Sequence, residues 1–250
     1  MVSGEHPFSD SAIHVRFRDS GAASPQTADV GVARSFDVSG VLFDNDGVLV
    51  DSHDVAAAVW NQWATRWAPG FDFHRDVRHG LRIRDAVADI VVNPANVPEA
   101  ARDLVDMESR LATRVGAIRG APELVAQCRA DAWTLVTSGR RAVALARLTS
   151  AGIPHPVSVV SADDVEHGKP APDAYLAGAA SLGLHPGRCA VFEDAGAGIE
   201  SARAAGVACV IGVGEATLGE NVDVSVLSLR GITYDGARLT IPPSVIIAAP

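Results

Sequence analysis

The chain has 250 residues, 48% of them apolar and 20% charged, and a formal net charge of -9. That length suits one large α/β domain, alone or carrying an insertion. The acidic balance speaks against nucleic acid or an anionic membrane as the main partner, since both require basic patches, but not against an anionic small molecule, because a bound metal ion can supply positive charge locally.

Residues 1–36 are rich in Ser, Ala, Gly and Asp and read as an N-terminal extension, a tail or loose cover. Within it, Ile13-His14-Val15-Arg16-Phe17 alternates as an edge strand would. Met1–Asp10 carries no apolar stretch of the signal-peptide kind, and no apolar run approaches a membrane span. The three cysteines, Cys128, Cys189 and Cys209, sit in apolar stretches without metal-clip spacing and read as buried free thiols. A cytoplasmic protein is expected on both counts.

From residue 37 onward, short apolar runs alternate with helical patterns. The strands expected are Val41–Phe43, Trp133–Thr137, Val157–Val160, Cys189–Phe192 and Ala208–Val213. Their nearly continuous apolar character predicts a sheet buried on both faces. Helices are expected over 140–151, 172–182 and 198–205, closing at Gly152, Gly183 and Gly206. The alternation predicts a doubly wound, Rossmann-like parallel sheet formed by residues 37–53 and 119–250.

Residues 54–118 break the alternation. Val55, Val59, Trp63 and Trp67 recur at steps of four, with Trp60 alongside; Val87, Ile90 and Val91 give a second apolar face; Leu104, Met107, Leu111 and Val115 give a third. Three helices without a convincing strand are expected to form an inserted helical cap whose tryptophans serve as bundle core rather than as a ligand platform. Ile232–Ile241 reads as a hairpin around Asp235-Gly236.

Four segments carry candidate chemistry. Asp44-Asn45-Asp46-Gly47 follows the first apolar strand, where ligands bind in open parallel sheets. Two acids on one face of an extended segment repel unless a cation or shared proton relieves them, and a hard divalent cation is the simplest relief; the alternative is a pair of solvated loop acids. Glu193-Asp194 ends another strand, followed by Gly196 and Gly198 without the third glycine of a dinucleotide fingerprint. Lys169 lies in the rigid stretch His167-Gly168-Lys169-Pro170, from which it could reach a phosphate and a carboxylate together. Thr137-Ser138-Gly139 ends a strand with hydroxyls and amides suited to phosphate oxygen, or equally to capping a helix.

Taken together, these segments resemble the haloacid dehalogenase-like hydrolase superfamily over roughly residues 38–215, through Asp44-x-Asp46-Gly47, Thr137, Lys169 in Gly-Lys-Pro, and Glu193-Asp194. The insertion after the first strand matches the helical-cap subfamily. His79-Gly80-x-Arg82, Val136-Thr137-Ser138-Gly139, Ala162-Asp163-Asp164-Val165 and Phe192-Glu193-Asp194-Ala195 look like the sugar and glycerol phosphate phosphatases. The resemblance implies a Mg²⁺-dependent phosphatase in which Asp44 is the nucleophile and Asp46 the general acid and base, with Thr137 and Lys169 offsetting phosphoryl charge. It implies Mg²⁺ held by Asp44, the Asp46 carbonyl and Asp194, with Glu193 acting directly or through water. Ser138, His79 and Arg82 are the implied substrate contacts, and the expected partner is a small phosphorylated sugar or polyol bound by a monomer. Three departures stand out: Asn45 replaces an apolar residue, and Leu81 and Ile83 flank Arg82 where relatives carry more polar residues. The related β-phosphoglucomutases carry a histidine twelve residues after the nucleophile; here that position is Ala56.

Overall fold

The computed structural model describes residues 31–249. The alternating patch at residues 13–17 therefore lies outside the described residues. In chain order the strands and helices are β1 (Arg34–Asp37), β2 (Gly40–Phe43), β3 (Val50–Asp51), α1 (His53–Trp67), α2 (Phe73–Asp76), α3 (Ile83–Ile90), α4 (Val97–Leu111), β4 (Gly116–Ala117), α5 (Ala121–Val125) and β5 (Trp133–Val136). They continue as α6 (Arg141–Ser150), β6 (Val159–Val160), α7 (Asp173–Ser181), β7 (Cys189–Glu193), α8 (Gly196–Ala205), β8 (Cys209–Val213), β9 (Val224–Val226), β10 (Thr233–Tyr234), β11 (Arg238–Ile241) and β12 (Ile246–Ala248).

The central sheet has seven strands in the order β12-β9-β8-β7-β2-β5-β6. All pairings are parallel except β12 with β9. Side chains alternate across the sheet as a two-residue period requires. Val41 and Phe43 join the apolar cluster that includes Leu124, Ala144 and Leu148, whereas Leu42 joins Tyr175, Ala179, Ile199 and Ala202 on the opposite face. Helices thus cover both faces, which explains why these strands read as unbroken apolar runs. β2 lies between β5 and β7, and the chain leaves it first toward β5 and later returns to form β7. That reversal places the crevice of the sheet at the carboxyl end of β2.

The helices on 140–151, 172–182 and 198–205 form within a residue or two of expectation, and Gly152, Gly183 and Gly206 take left-handed φ at their ends. The strand expected at 157–160 is shorter. Pro156 has no N–H to offer and Val157 is 80% exposed, so pairing begins only at Val159. Residues 34–36, assigned from sequence to the extension, belong to β1, which pairs with β11 of the expected hairpin.

The insertion is helical, with its own apolar cluster of Val59, Trp60, Trp63, Phe73, Val87 and Leu104. A two-stranded antiparallel ribbon, β3 with β4, joins it to the core, a feature that the apolar periodicity did not reveal. Trp63 is 1% exposed and its indole N–H donates to the Ala100 carbonyl at 2.8 Å, tying α1 to α4. Trp63→Ala should therefore lower unfolding free energy by about 3–5 kcal/mol. Denaturant titration checks this, and a loss under about 1 kcal/mol would show that the cap is held by other contacts.

Candidate active site

Parallel pairing of β2 with β7 sets Phe43 beside Phe192, and the Asp44 N–H donates to the Phe192 carbonyl at 3.0 Å. Asp44 and Glu193 therefore leave neighbouring strands at the same level. Lys169, 2% exposed, bridges them: its Nζ donates to Asp44 Oδ1 and to Glu193 Oε1, each at 2.6 Å. Glu193 is fully committed. Oε1 also accepts the Tyr175 hydroxyl at 2.6 Å, and Oε2 accepts the amides of Asp194 and Ala195 at 3.1 and 3.4 Å. A Cβ on Gly198 would lie 1.8 Å from Glu193 Oε1, so only glycine lets α8 start this close to the carboxylate.

Three carboxylates, those of Asp44, Glu193 and Asp194, each place an oxygen within 4.8 Å of the others. One ammonium contacts two of them, Asp44 and Glu193. Burial opposes the charge on Lys169, yet the adjacent Asp44 and Glu193 carboxylates raise its pKa above the ordinary value. Burial pushes the Asp44 carboxyl up to about 7 against the pull of Lys169, with Glu193 and Asp46 adding to the push. Asp194 is driven well above the ordinary range by burial and then by Glu193 and Asp44. Hard oxygen donors with excess negative charge fit a divalent cation. Gly47, at φ +76°, packs so closely on Asp194 that a Cβ would sit 2.0 Å from Oδ2.

The group opens on a cleft of about 120 Å³ between core and cap. Asp44, Asp46, Asp194, Thr137 and Ser138 line it from the core, and Trp60, Phe73, His79, Leu81 and Ile83 from the cap. Trp60 thus serves both as bundle core and as cleft wall. The Thr137 hydroxyl oxygen accepts the Gly139 amide at 3.0 Å, leaving its own hydrogen to donate. Ser138 donates to the Gly80 carbonyl of the cap at 2.6 Å. His79 stacks edge-on against Phe73, and burial, then His53 and His74, lower its pKa. Arg82 points elsewhere. Its Nε donates to Asp85 at 2.6 Å and its Nη1 to the Glu166 carbonyl at 3.0 Å, because an acid three residues on and the loop before Lys169 capture the guanidinium outside the cleft. Arg82 joins cap to core rather than lining the cleft.

Several lining residues escaped the sequence reading. His53 Nε2 lies 3.5 Å from Asp194 Oδ2. Arg147 of α6 and Glu108 of α4 both face the cleft. Each is a charge within an apolar helix stripe: Arg147 beside Val143, Ala144 and Leu148, Glu108 four residues after Leu104. That pattern was the available signal.

Residues 38–206 match the family model described as haloacid dehalogenase-like hydrolase. The chain is a haloacid dehalogenase-like hydrolase. Among relatives of this hydrolase, Hexitol phosphatase A of Escherichia coli is 36% identical over 200 residues, covering 78% of this chain and 93% of that protein. Glycerol-1-phosphate phosphohydrolase 2 of Saccharomyces cerevisiae is 32% identical, covering 69% of this chain and 73% of that protein. The structure of CbbY from Rhodobacter sphaeroides in complex with phosphate shares the fold, with a TM-score of 0.68 at 19% identity over 80% of this chain and 99% of that one. The cysteines of this hydrolase are free, and burial pushes all three thiols up, to about 11 or 12. No helix among the described residues is long and apolar enough to cross a membrane.

The lysine is the structural keystone of the hydrolase site. Lys169→Met leaves two buried carboxylates without their counter-charge and should cost about 3–5 kcal/mol at pH 8. Without the ammonium, the folded-state pKa of Asp44 rises further above its unfolded value. The part of the penalty carried by Asp44 is therefore absent while its carboxyl stays protonated in both proteins and grows as pH rises past about 7. Chemical unfolding of metal-free protein across that value checks the sign; a penalty independent of pH would show that the loss is one of packing alone.

Proposed function

We propose that this hydrolase is a Mg²⁺-dependent phosphatase that cleaves a small phosphorylated sugar or polyol through an aspartyl phosphate on Asp44. The observation that carries the reading is the Asp44 carboxylate at the end of β2, gripped by Lys169 on Oδ1 and open to a cleft that the cap completes. The names of the hexitol and glycerol-1-phosphate enzymes support the substrate class.

In the first step an Asp44 carboxylate oxygen bonds to phosphorus, the ester P–O bond breaks, and the leaving oxygen takes a proton from the Asp46 carboxyl. In the second, a water oxygen bonds to phosphorus and yields its proton to Asp46, and the Asp44–phosphorus bond breaks to free inorganic phosphate. Lys169 and the Thr137 hydroxyl offset charge on the transferred group. Asp44, the Asp46 carbonyl and Asp194 would hold Mg²⁺, with Glu193 at the edge of that shell because its oxygens already accept four donors. Bound there, the ion would supply positive charge to the phosphoryl oxygens. His79 is the cap group best placed for the sugar or polyol, and the cap excludes bulk water above it. Ala56 lines the cleft without an acid or base to offer, which favours hydrolysis over phosphoryl transfer between sugar positions.

Asp44→Asn keeps the shape and removes the nucleophile, so turnover should fall by about a thousandfold or more with the melting profile retained. Activity within tenfold of wild type would sink the assignment. Chelator should abolish activity and Mg²⁺ restore it, with Ca²⁺ a poor substitute. Because Asp44 must shed its proton to bind the ion and its carboxyl stands at about 7 in the metal-free protein, Mg²⁺ affinity should weaken by about tenfold per pH unit below that value from Asp44 alone, and more steeply where Asp194 also carries a proton. Calorimetric titration reads this directly, and an affinity flat from pH 5 to 8 would remove Asp44 from the metal shell.

A further inference from the structure

Arg147 is a charged cleft residue that the proposed chemistry leaves unused. It is 4% exposed, on the core helix α6, and a buried guanidinium persists only where partners hold it. Its Nη1 donates to Asp46 Oδ1 at 2.7 Å. Its Nη2 faces Glu108 Oε2 of cap helix α4 at 3.7 Å, and Glu108 in turn accepts the Trp60 indole N–H at 3.2 Å. Ser52 donates to the same Asp46 oxygen, Oδ1, at 2.6 Å. Among the described residues the other oxygen, Oδ2, receives only the Asn45 amide, at 3.2 Å.

Resting on the phosphatase reading above, we infer that Arg147 is the positioning residue for Asp46: with Ser52 it pins Oδ1 and leaves Oδ2 as the oxygen that carries the proton to the leaving group. An unpinned aspartate on a partly exposed loop samples several rotamers, and a general acid acts only from the one within hydrogen-bond reach of the departing oxygen. Two donors converging on one oxygen fix both the plane of the carboxyl group and the identity of the oxygen left free. Glu108 holds the far side of the same guanidinium from the cap, so the pin is built across the boundary that encloses the substrate.

The chemistry separates this role from a structural one. An alkoxide leaving group needs the Asp46 proton as the P–O bond breaks, whereas a para-nitrophenolate departs without it. The experiment compares ethyl phosphate, glycerol phosphate and para-nitrophenyl phosphate as substrates, reading kcat/KM, which covers steps up to departure of the leaving group. Arg147→Met keeps the buried stem and removes the fork. It should lower kcat/KM on both alkyl esters by on the order of a hundredfold and on the aryl ester by less than about threefold. Should the Met variant fail to fold, Arg147→Lys keeps the charge without the fork and should show the same ester pattern with a smaller loss. An equal loss on all three esters assigns Arg147 to the fold and overturns the inference. A loss on glycerol phosphate alone assigns it to substrate hydroxyls and also overturns it. Wild-type protein that hydrolyses none of the three esters would overturn the phosphatase reading itself, an outcome distinct from either of these.

Discussion

Asp44, Glu193 and Asp194 stand at the carboxyl ends of two adjacent strands with one buried ammonium between them. At these separations three ionised carboxylates repel strongly in a low-dielectric interior, and Lys169 can neutralise only one of them. Much of the local architecture answers that imbalance. Tyr175 and two backbone amides spread the charge on Glu193, and the glycines at 47 and 198 let the backbone approach the acids closely. Burial first, and the residual negative charge after it, drive Asp44 and Asp194 toward protonation in the metal-free protein. A site left electrostatically unsatisfied by its own side chains fits the cation and anionic ligand proposed above.

The cap solves a different problem. Under the proposed chemistry the core residues serve the phosphoryl group that every substrate shares, so selectivity for the rest of the molecule falls to the opposite wall. That wall is mixed: Phe73, Leu81 and Ile83 are apolar, whereas His79 and Glu108 are polar. Contacts also tie the two halves together. Ser138 donates to the Gly80 carbonyl, and Arg82 donates to the Glu166 carbonyl just before Lys169. Ser138 and Arg82, expected from the sequence as substrate contacts, thus also tie the cap to the core loops that hold Thr137 and Lys169.

The sheet and the acidic strand ends were legible because each rests on a local rule. Unbroken apolar runs mark strands covered on both faces, and glycines mark helix ends. The short strands Val224–Val226 and Ile246–Ala248 were not legible, since three residues give no period to detect. The direction of Arg82 was also hidden. Its segment suggested the cleft, but Asp85 one helical turn away and two loop carbonyls outcompete it, and only the folded chain brings residues 165 and 166 to that place. Asn45 departs from the apolar residue expected there, yet it is fully buried, with its carbonyl accepting two amides of the following turn and its side-chain amide reaching Asp46.

Arg147 and Glu108 show why a charge on an apolar stripe is informative. Replacing a buried ion pair by apolar residues of similar volume is often neutral or stabilising, so stability alone gives no account of a guanidinium at 4% exposure in α6. Its Nε lacks a hydrogen-bond partner among the described residues, and burial pushes the Glu108 carboxyl above its ordinary pKa. A pair that is imperfectly satisfied on the structural side but well seated on Asp46 has its favourable contact directed at the site. The same reasoning separates Lys169 from the surface pairs such as Arg66 with Asp103, which are solvated and contribute little. Where burial is expensive and the partner is a cleft residue, the chemistry of the cleft is the explanation left standing.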